Sequence, residues 1–124
     1  MRNMSFALTT DQIRDGSKTV TRRLGWLNLK AGDMVQPVKK CMGIRPGEKI
    51  EPLRGPLRVV SVRREPLRQM LNNLKYGFDE CKREGFGEHP VFQWPSEFVA
   101  MFCATHRGCT PETEVTRIEF EYVG

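Results

Sequence analysis

The most constraining stretch of the chain is Thr113–Val123 (TEVTRIEFEYV), where Ile118, Phe120 and Tyr122 alternate with Glu119 and Glu121. A period of two puts the apolar side chains on one face and the carboxylates on the other, which predicts a strand with one face buried. Such a strand is not stable alone; it needs neighbours in a sheet and a layer over its apolar face. Candidate neighbours are Leu57–Arg64 (LRVVSVRR), the Thr-rich and β-branched Lys18–Leu24 (KTVTRRL), Met34–Lys40 (MVQPVKK) and Ser5–Thr9 (SFALT). Pro37 has no N–H to give to a ladder, so it suggests an edge or a bulge.

Helices are predicted between these strands. Thr10 is placed to cap a brief helix around Asp11–Asp15 that Gly16 ends. Pro66 opens a second, with Leu67, Met70, Leu71 and Leu74 on one face and Gly77 as its stop. Asp79–Glu84 reads as a further helical turn, and Ser96 as the cap of a helix with Phe98, Met101 and Phe102 on one face. Met42–Pro56 carries Pro46, Pro52 and Pro56 among its glycines and reads as a loop. The pattern is that of a mixed α+β domain, a small curled sheet or barrel flanked by short helices.

A chain of 124 residues fits one domain, 1–124, since single domains commonly run ~100–150 residues. Seven Phe, two Tyr and two Trp argue against disorder. No apolar run approaches the ~18–20 residues of a membrane span, and Met1–Thr10 lacks the apolar core of a signal peptide. The expectation is a cytoplasmic monomer. Its charge is unevenly placed: residues 1–64 hold 14 basic and 5 acidic side chains, residues 65–124 only 6 basic and 10 acidic. A basic first half suits an anionic partner, with phosphate, nucleotide or RNA heading the list, or it evens out once the halves fold together.

Cys41, Cys81, Cys103 and Cys109 read as free thiols of a reducing compartment. Cys103, His106 and Cys109 have the spacing of a metal loop, with Cys81 or His89 as a fourth ligand for zinc, but no Cys-x-x-Cys pair accompanies them. No metal is therefore assigned.

The densest functional cluster is Gly16-Ser-Lys18-Thr-Val-Thr21-Arg22-Arg23. Forked Arg donors and small Thr hydroxyls after a glycine suit a phosphate or a carbonyl oxygen. The plainer reading is an exposed strand, with Thr for β propensity and Arg for solubility. Trp26 follows the cluster and is a candidate for stacking on a base; Arg63, with Arg58 and Arg64, extends the basic surface.

The order FALTTDQIRDGSKTVTRRL, KAGDMV, RVVSVRREPL, REGF and TRIEFEYV resembles the ASCH domain, a family of PUA-like β-barrels. The resemblance runs from about Ser5 to Tyr122, and its specific part is Gly-x-Lys-x-x-Thr-x-Arg, matched by Gly16, Lys18, Thr21 and Arg23. It implies a PUA-like, ASCH-type mixed β-barrel that binds RNA or a nucleoside. Small bacterial members of this family are amidohydrolases that remove the acyl group from N4-acetylcytidine. By that resemblance Lys18, Thr21 and Glu84 are the catalytic set with Arg23 supporting, and no metal or organic cofactor is needed; from the residues themselves, Arg22, Arg23, Trp26 and Arg63 read as substrate-binding. Glu80 and Glu88 are alternatives for the carboxylate. The Met42–Pro56 and Gly77–Pro95 segments are longer than in the smallest such enzymes. The other function class is an RNA- or nucleotide-binding module without turnover.

The chemistry sets a condition. A Thr hydroxyl needs a base beside it, and a Lys is a base near neutrality only when burial or neighbouring cations lower its pKa. In a regular strand residues i and i+3 face opposite ways, so Lys18 and Thr21 meet only if the chain bends between them.

Overall fold

The computed structural model describes residues 1–124. Its strands are β1 (Arg2–Ser5), β2 (Val20–Arg23), β3 (Met34–Val38), β4 (Leu57–Pro66) and β5 (Glu114–Tyr122). Its helices are α1 (Thr10–Asp15), α2 (Gln69–Asn72), α3 (Leu74–Cys81) and α4 (Pro95–Thr105), with a π-type turn, Lys82–Phe86, running on from α3. The strands form one mixed sheet in the order β1-β3-β4-β5-β2, antiparallel except for the β1–β3 pair.

The alternating strand is central to the fold, as its pattern predicts. Ile118 and Phe120 are buried with Leu57, Val59, Val35 and Met4 on one face of the sheet, and Ile13 of α1 packs into the same cluster. Toward its start β5 is buried on both faces, since Thr116 and Arg117 are covered as well as Val115. There α2–α4 pack a second apolar cluster around Leu67, Met70, Phe86, Phe98 and Phe102.

The barrel expected from the resemblance does not close. β1 and β2 are the two edges of an open sheet, and no backbone ladder joins them. A side chain reaches across instead: the Arg23 guanidinium (Nη2) donates to the Ser5 carbonyl at 2.5 Å. The first strand also lies earlier than Ser5–Thr9, although Phe6 still donates its N–H to the Val38 carbonyl beyond the end of β1. Pro37 is tolerated inside the sheet because β3 pairs with β4 only at Met34 and Val35, so beside Pro37 the ladder to β4 has ended.

The helix expected to run from Pro66 to Gly77 is two helices. The chain breaks at Asn73, whose side chain accepts the Tyr76 N–H at 3.1 Å and caps α3. Leu74 is thereby exposed rather than on the buried face. Gly77 is inside α3 and stops nothing; a Cβ there would fall 2.1 Å from the Met70 carbonyl oxygen, so the glycine permits the close α2–α3 contact. The last helix starts at Pro95, one residue before the expected Ser96 cap.

Candidate functional site

Lys18 is not in a strand, and this removes the objection of alternating faces. After α1 ends at Gly16, the Lys18 N–H donates to the Gln12 carbonyl and the Thr19 N–H to the Arg83 carbonyl; pairing of β2 with β5 begins only at Val20. The second bond ties the segment to the π-type turn that carries Glu84. Gly85 makes that approach possible. Its φ is +98°, and a Cβ there would meet Gln12 at 3.0 Å and Lys18 Cβ at 3.4 Å.

Lys18 Nζ then donates to the Glu84 carbonyl at 2.7 Å and to Glu84 Oε1 at 2.9 Å, with both side chains buried. Burial lowers the pKa of the amine and outweighs Glu84, which raises it; Arg23 and Arg22 lower it further. Thr21 Oγ1 accepts from Arg23 Nε at 3.2 Å, which leaves its own proton to give. The Arg23 guanidinium is itself lowered to about 10 by burial. No hydrogen bond joins Lys18 to Thr21, but both line one pocket of about 360 Å³ with Ser5, Phe6, Arg23 and Glu84. Phe86, Phe98, Met101, Phe102 and His106 supply its apolar and aromatic wall. The pocket occupies the gap between the two sheet edges, where a closed barrel would have paired β1 with β2.

Behind the pocket is a buried charged layer that the sequence pattern did not reveal. Arg22 and Arg117 face each other across the β2–β5 ladder. Glu80 binds Arg117 through both oxygens, at 2.5 and 3.0 Å, and Arg22 at 2.6 Å. Arg22 in turn donates to Glu84 Oε2 at 3.1 Å. A chain of alternating charge therefore runs Arg117, Glu80, Arg22, Glu84, Lys18. Although burial opposes it, the two arginines hold Glu80 down to about 2, and Glu84 and Glu80 raise Arg22 above its ordinary value despite its burial. Arg22, expected to bind substrate, also lines the pocket, and its guanidinium is engaged by Glu84 and Glu80. Its Nε is a buried polar atom without a partner. Tyr76 and Glu65 complete the layer, the Tyr76 hydroxyl lying 2.8 and 2.9 Å from the two Glu65 oxygens.

Of the residues expected to bind substrate, Arg23 is at the pocket, whereas Trp26 and Arg63 are not. They line a separate concavity of about 540 Å³ with Lys30, Arg64 and Thr116. Trp26 has φ 55°, packs against the first apolar cluster and carries the Arg2 guanidinium 3.9 Å from its ring centroid. Arg63 is held by Glu65 and Tyr76. Glu88 lies in another groove, away from Lys18, so of the three candidate carboxylates Glu84 contacts the lysine and Glu80 supports it. The sequence offers Glu80 only as an alternative for the catalytic carboxylate; its spacing of four from Glu84, which Glu88 shares, does not distinguish a supporting role. Arg117 gave no signal, since an alternating strand places it on the face presumed wet.

Cys103, His106 and Cys109 do not converge as ligands. Cys103 Sγ is 3.9 Å from Cys109 Sγ, but the His106 ring is stacked on Phe102 at 3.9 Å between centroids, with Nδ1 turned to the Phe102 carbonyl at 2.8 Å. No group of three His, Cys, Asp or Glu side chains is arranged to hold a metal ion.

Fold and site define a small α+β protein with an open, five-stranded mixed sheet, short helices and a Lys–Glu pair buried at the sheet's edge gap. Neither protein-family models nor curated proteins yield a match to the chain. Among solved structures it is similar to protein EF3133 from Enterococcus faecalis V583, family DUF984, with a TM-score of 0.52 and 19% identity over 93% of this chain and 69% of that one. At that identity the likeness speaks to the fold. No helix of the chain is long and apolar enough to cross a membrane.

Proposed function

We propose that the protein is a small amidohydrolase that removes the acyl group from an N4-acylated cytidine, with Lys18, Thr21 and Glu84 as catalytic residues and Arg23 beside them. The observation that carries this reading is the meeting of Lys18, Thr21, Arg23 and Glu84 in one part-apolar pocket. Anion binding alone requires no carboxylate there, whereas proton transfer does. As a neutral amine, Lys18 keeps two N–H bonds to Glu84 and retains a lone pair, so Glu84 orients the base while burial keeps it unprotonated more readily than a surface lysine. The Thr21 hydroxyl then gives its proton to Lys18 and attacks the acyl carbon. The Arg23 guanidinium stands next to the oxygen that attacks and stabilises the charge that develops. The proton returns to the departing cytosine amine by way of Lys18 and Glu84, and water releases the acyl group from Thr21. No step needs a metal or an organic cofactor.

The assay is conversion of N4-acetylcytidine to cytidine by the purified protein, followed by absorbance. Wild type is expected to turn over, Lys18→Ala and Thr21→Ala to be inactive without additive losses, and Glu84→Gln to bind substrate with strongly reduced kcat. Full activity in Thr21→Ala would remove the nucleophile role and leave water as the attacking group. The alternative, RNA or nucleotide binding without turnover, draws on the separate Trp26–Lys30–Arg64 concavity. Failure of wild type to convert the nucleoside, together with tight, salt-sensitive RNA binding, would decide for it.

A further inference from the structure

The Cys103–Cys109 contact lies outside the chemistry described above. Cys103 is on the last turn of α4, and the chain leaves the helix at His106, turns at Gly108 and brings Cys109 back against it. The Cys103 thiol donates to the Cys109 sulfur at 3.9 Å, and both residues are partly exposed. Both pack at the margin of the second apolar cluster without being sealed inside it, unlike Cys81, whose thiol is fully buried and pushed up to about 12 by burial. Cys41 is on a different loop. Two thiols already in contact across a short turn need only a movement of about 2 Å between sulfurs to reach bonding distance. Between them in sequence is His106, and the same helix end supplies Met101, Phe102 and Thr105 to the pocket wall.

We infer that Cys103 and Cys109 are a reversible dithiol–disulfide site, oxidised by a low-molecular-weight disulfide, whose closure locks the His106 wall of the pocket. In the first step the Cys109 thiolate attacks one sulfur of the oxidant, forming a mixed disulfide and releasing one small thiol. The Cys103 thiolate then attacks the Cys109 sulfur and releases the second. One S–S bond is broken and one formed, two protein thiols are oxidised, and the oxidant leaves as two thiols carrying the protons. Cys109 is the first nucleophile because burial, helped by the bond to Cys109, raises the Cys103 thiol.

The test uses the whole chain and oxidised glutathione as the probe, with peptide mapping by mass spectrometry. Wild type is expected to lose two thiols and two hydrogens, with the new bond mapped to Cys103–Cys109, Cys41 and Cys81 still reduced, and no glutathione retained. Dithiothreitol should restore both thiols. Cys103→Ser should stop at glutathione on Cys109, because the resolving thiol is gone. The imidazole NMR signals of His106, a readout independent of any activity, should move on oxidation and return on reduction. Stable glutathione adducts on both cysteines of wild type, or a disulfide involving Cys41, would overturn the proposal. An internal disulfide that leaves the His106 signals unmoved would refute the coupling to the pocket.

Discussion

Replacing Glu80 by Gln tests whether the charged layer is held by that one carboxylate. The change preserves shape but leaves Arg22 and Arg117 buried without the anion that meets both. The magnitude follows from linkage. A carboxyl lowered from 4.5 to about 2 stabilises the folded state by about 3 kcal/mol once pH exceeds the unfolded value, since each tenfold change in the ionisation constant is worth ~1.4 kcal/mol. Because the folded pKa is depressed, that contribution is complete above pH 4.5 and is lost as pH falls toward 2. Glu80→Gln should therefore unfold at a urea concentration about 2 M lower than wild type at pH 7, taking ~1.5 kcal/mol/M for the denaturant slope. The gap should narrow steadily between pH 4.5 and 2 and vanish below that range, where wild type carries a protonated Glu80. Carboxyls outside the buried charged layer titrate alike in both proteins and cancel in the difference. Urea titrations by circular dichroism across that pH range make the measurement. A gap that stays constant with pH, or is absent at pH 7, would refute the assignment of Glu80 as the anchor of Arg22 and Arg117.

Gly85→Ala places a side chain at φ +98° against Gln12 and Lys18, and should cost about 1–2 kcal/mol while lowering kcat by displacing Glu84; chemical denaturation and the nucleoside assay read the two effects. If Lys18 is the base, kcat/KM for N4-acetylcytidine should rise with pH as the amine loses its proton, with a midpoint below the ordinary lysine value of 10.5, and a pH–rate profile locates it. Arg58→Ala removes a half-exposed pair with Glu121 and should change stability by less than about 1 kcal/mol, measured in the same urea series.

The parts legible in the sequence are those decided by local rules. Apolar alternation in Thr113–Val123 and the Gly16 helix end both stand in the structure, because each depends on neighbours a few residues away. The convergence of Lys18 with Glu84 depends on something else, namely a turn sixty-six positions distant docking on the edge of β2. Spacing alone could not supply that; it entered through the family resemblance. The charged layer was hidden for a related reason. Alternation assigns a strand's second face to water by default, and Arg117, Arg22 and Glu65 all look like surface residues under that rule. It fails here because α3 and the π-type turn cover that face and bring Glu80, Glu84 and Tyr76 as partners. The open sheet edge and the charged layer are then two sides of one arrangement. Leaving β1 and β2 unpaired makes room for the pocket, and the buried ion pairs fix Glu84 beside that gap where no backbone ladder could. Replacing Arg22 alone with an apolar residue leaves Glu84 and Glu80 buried short of a counter-charge, so it should cost about 3–5 kcal/mol in a urea titration as well as disturbing Glu84 and, with it, Lys18.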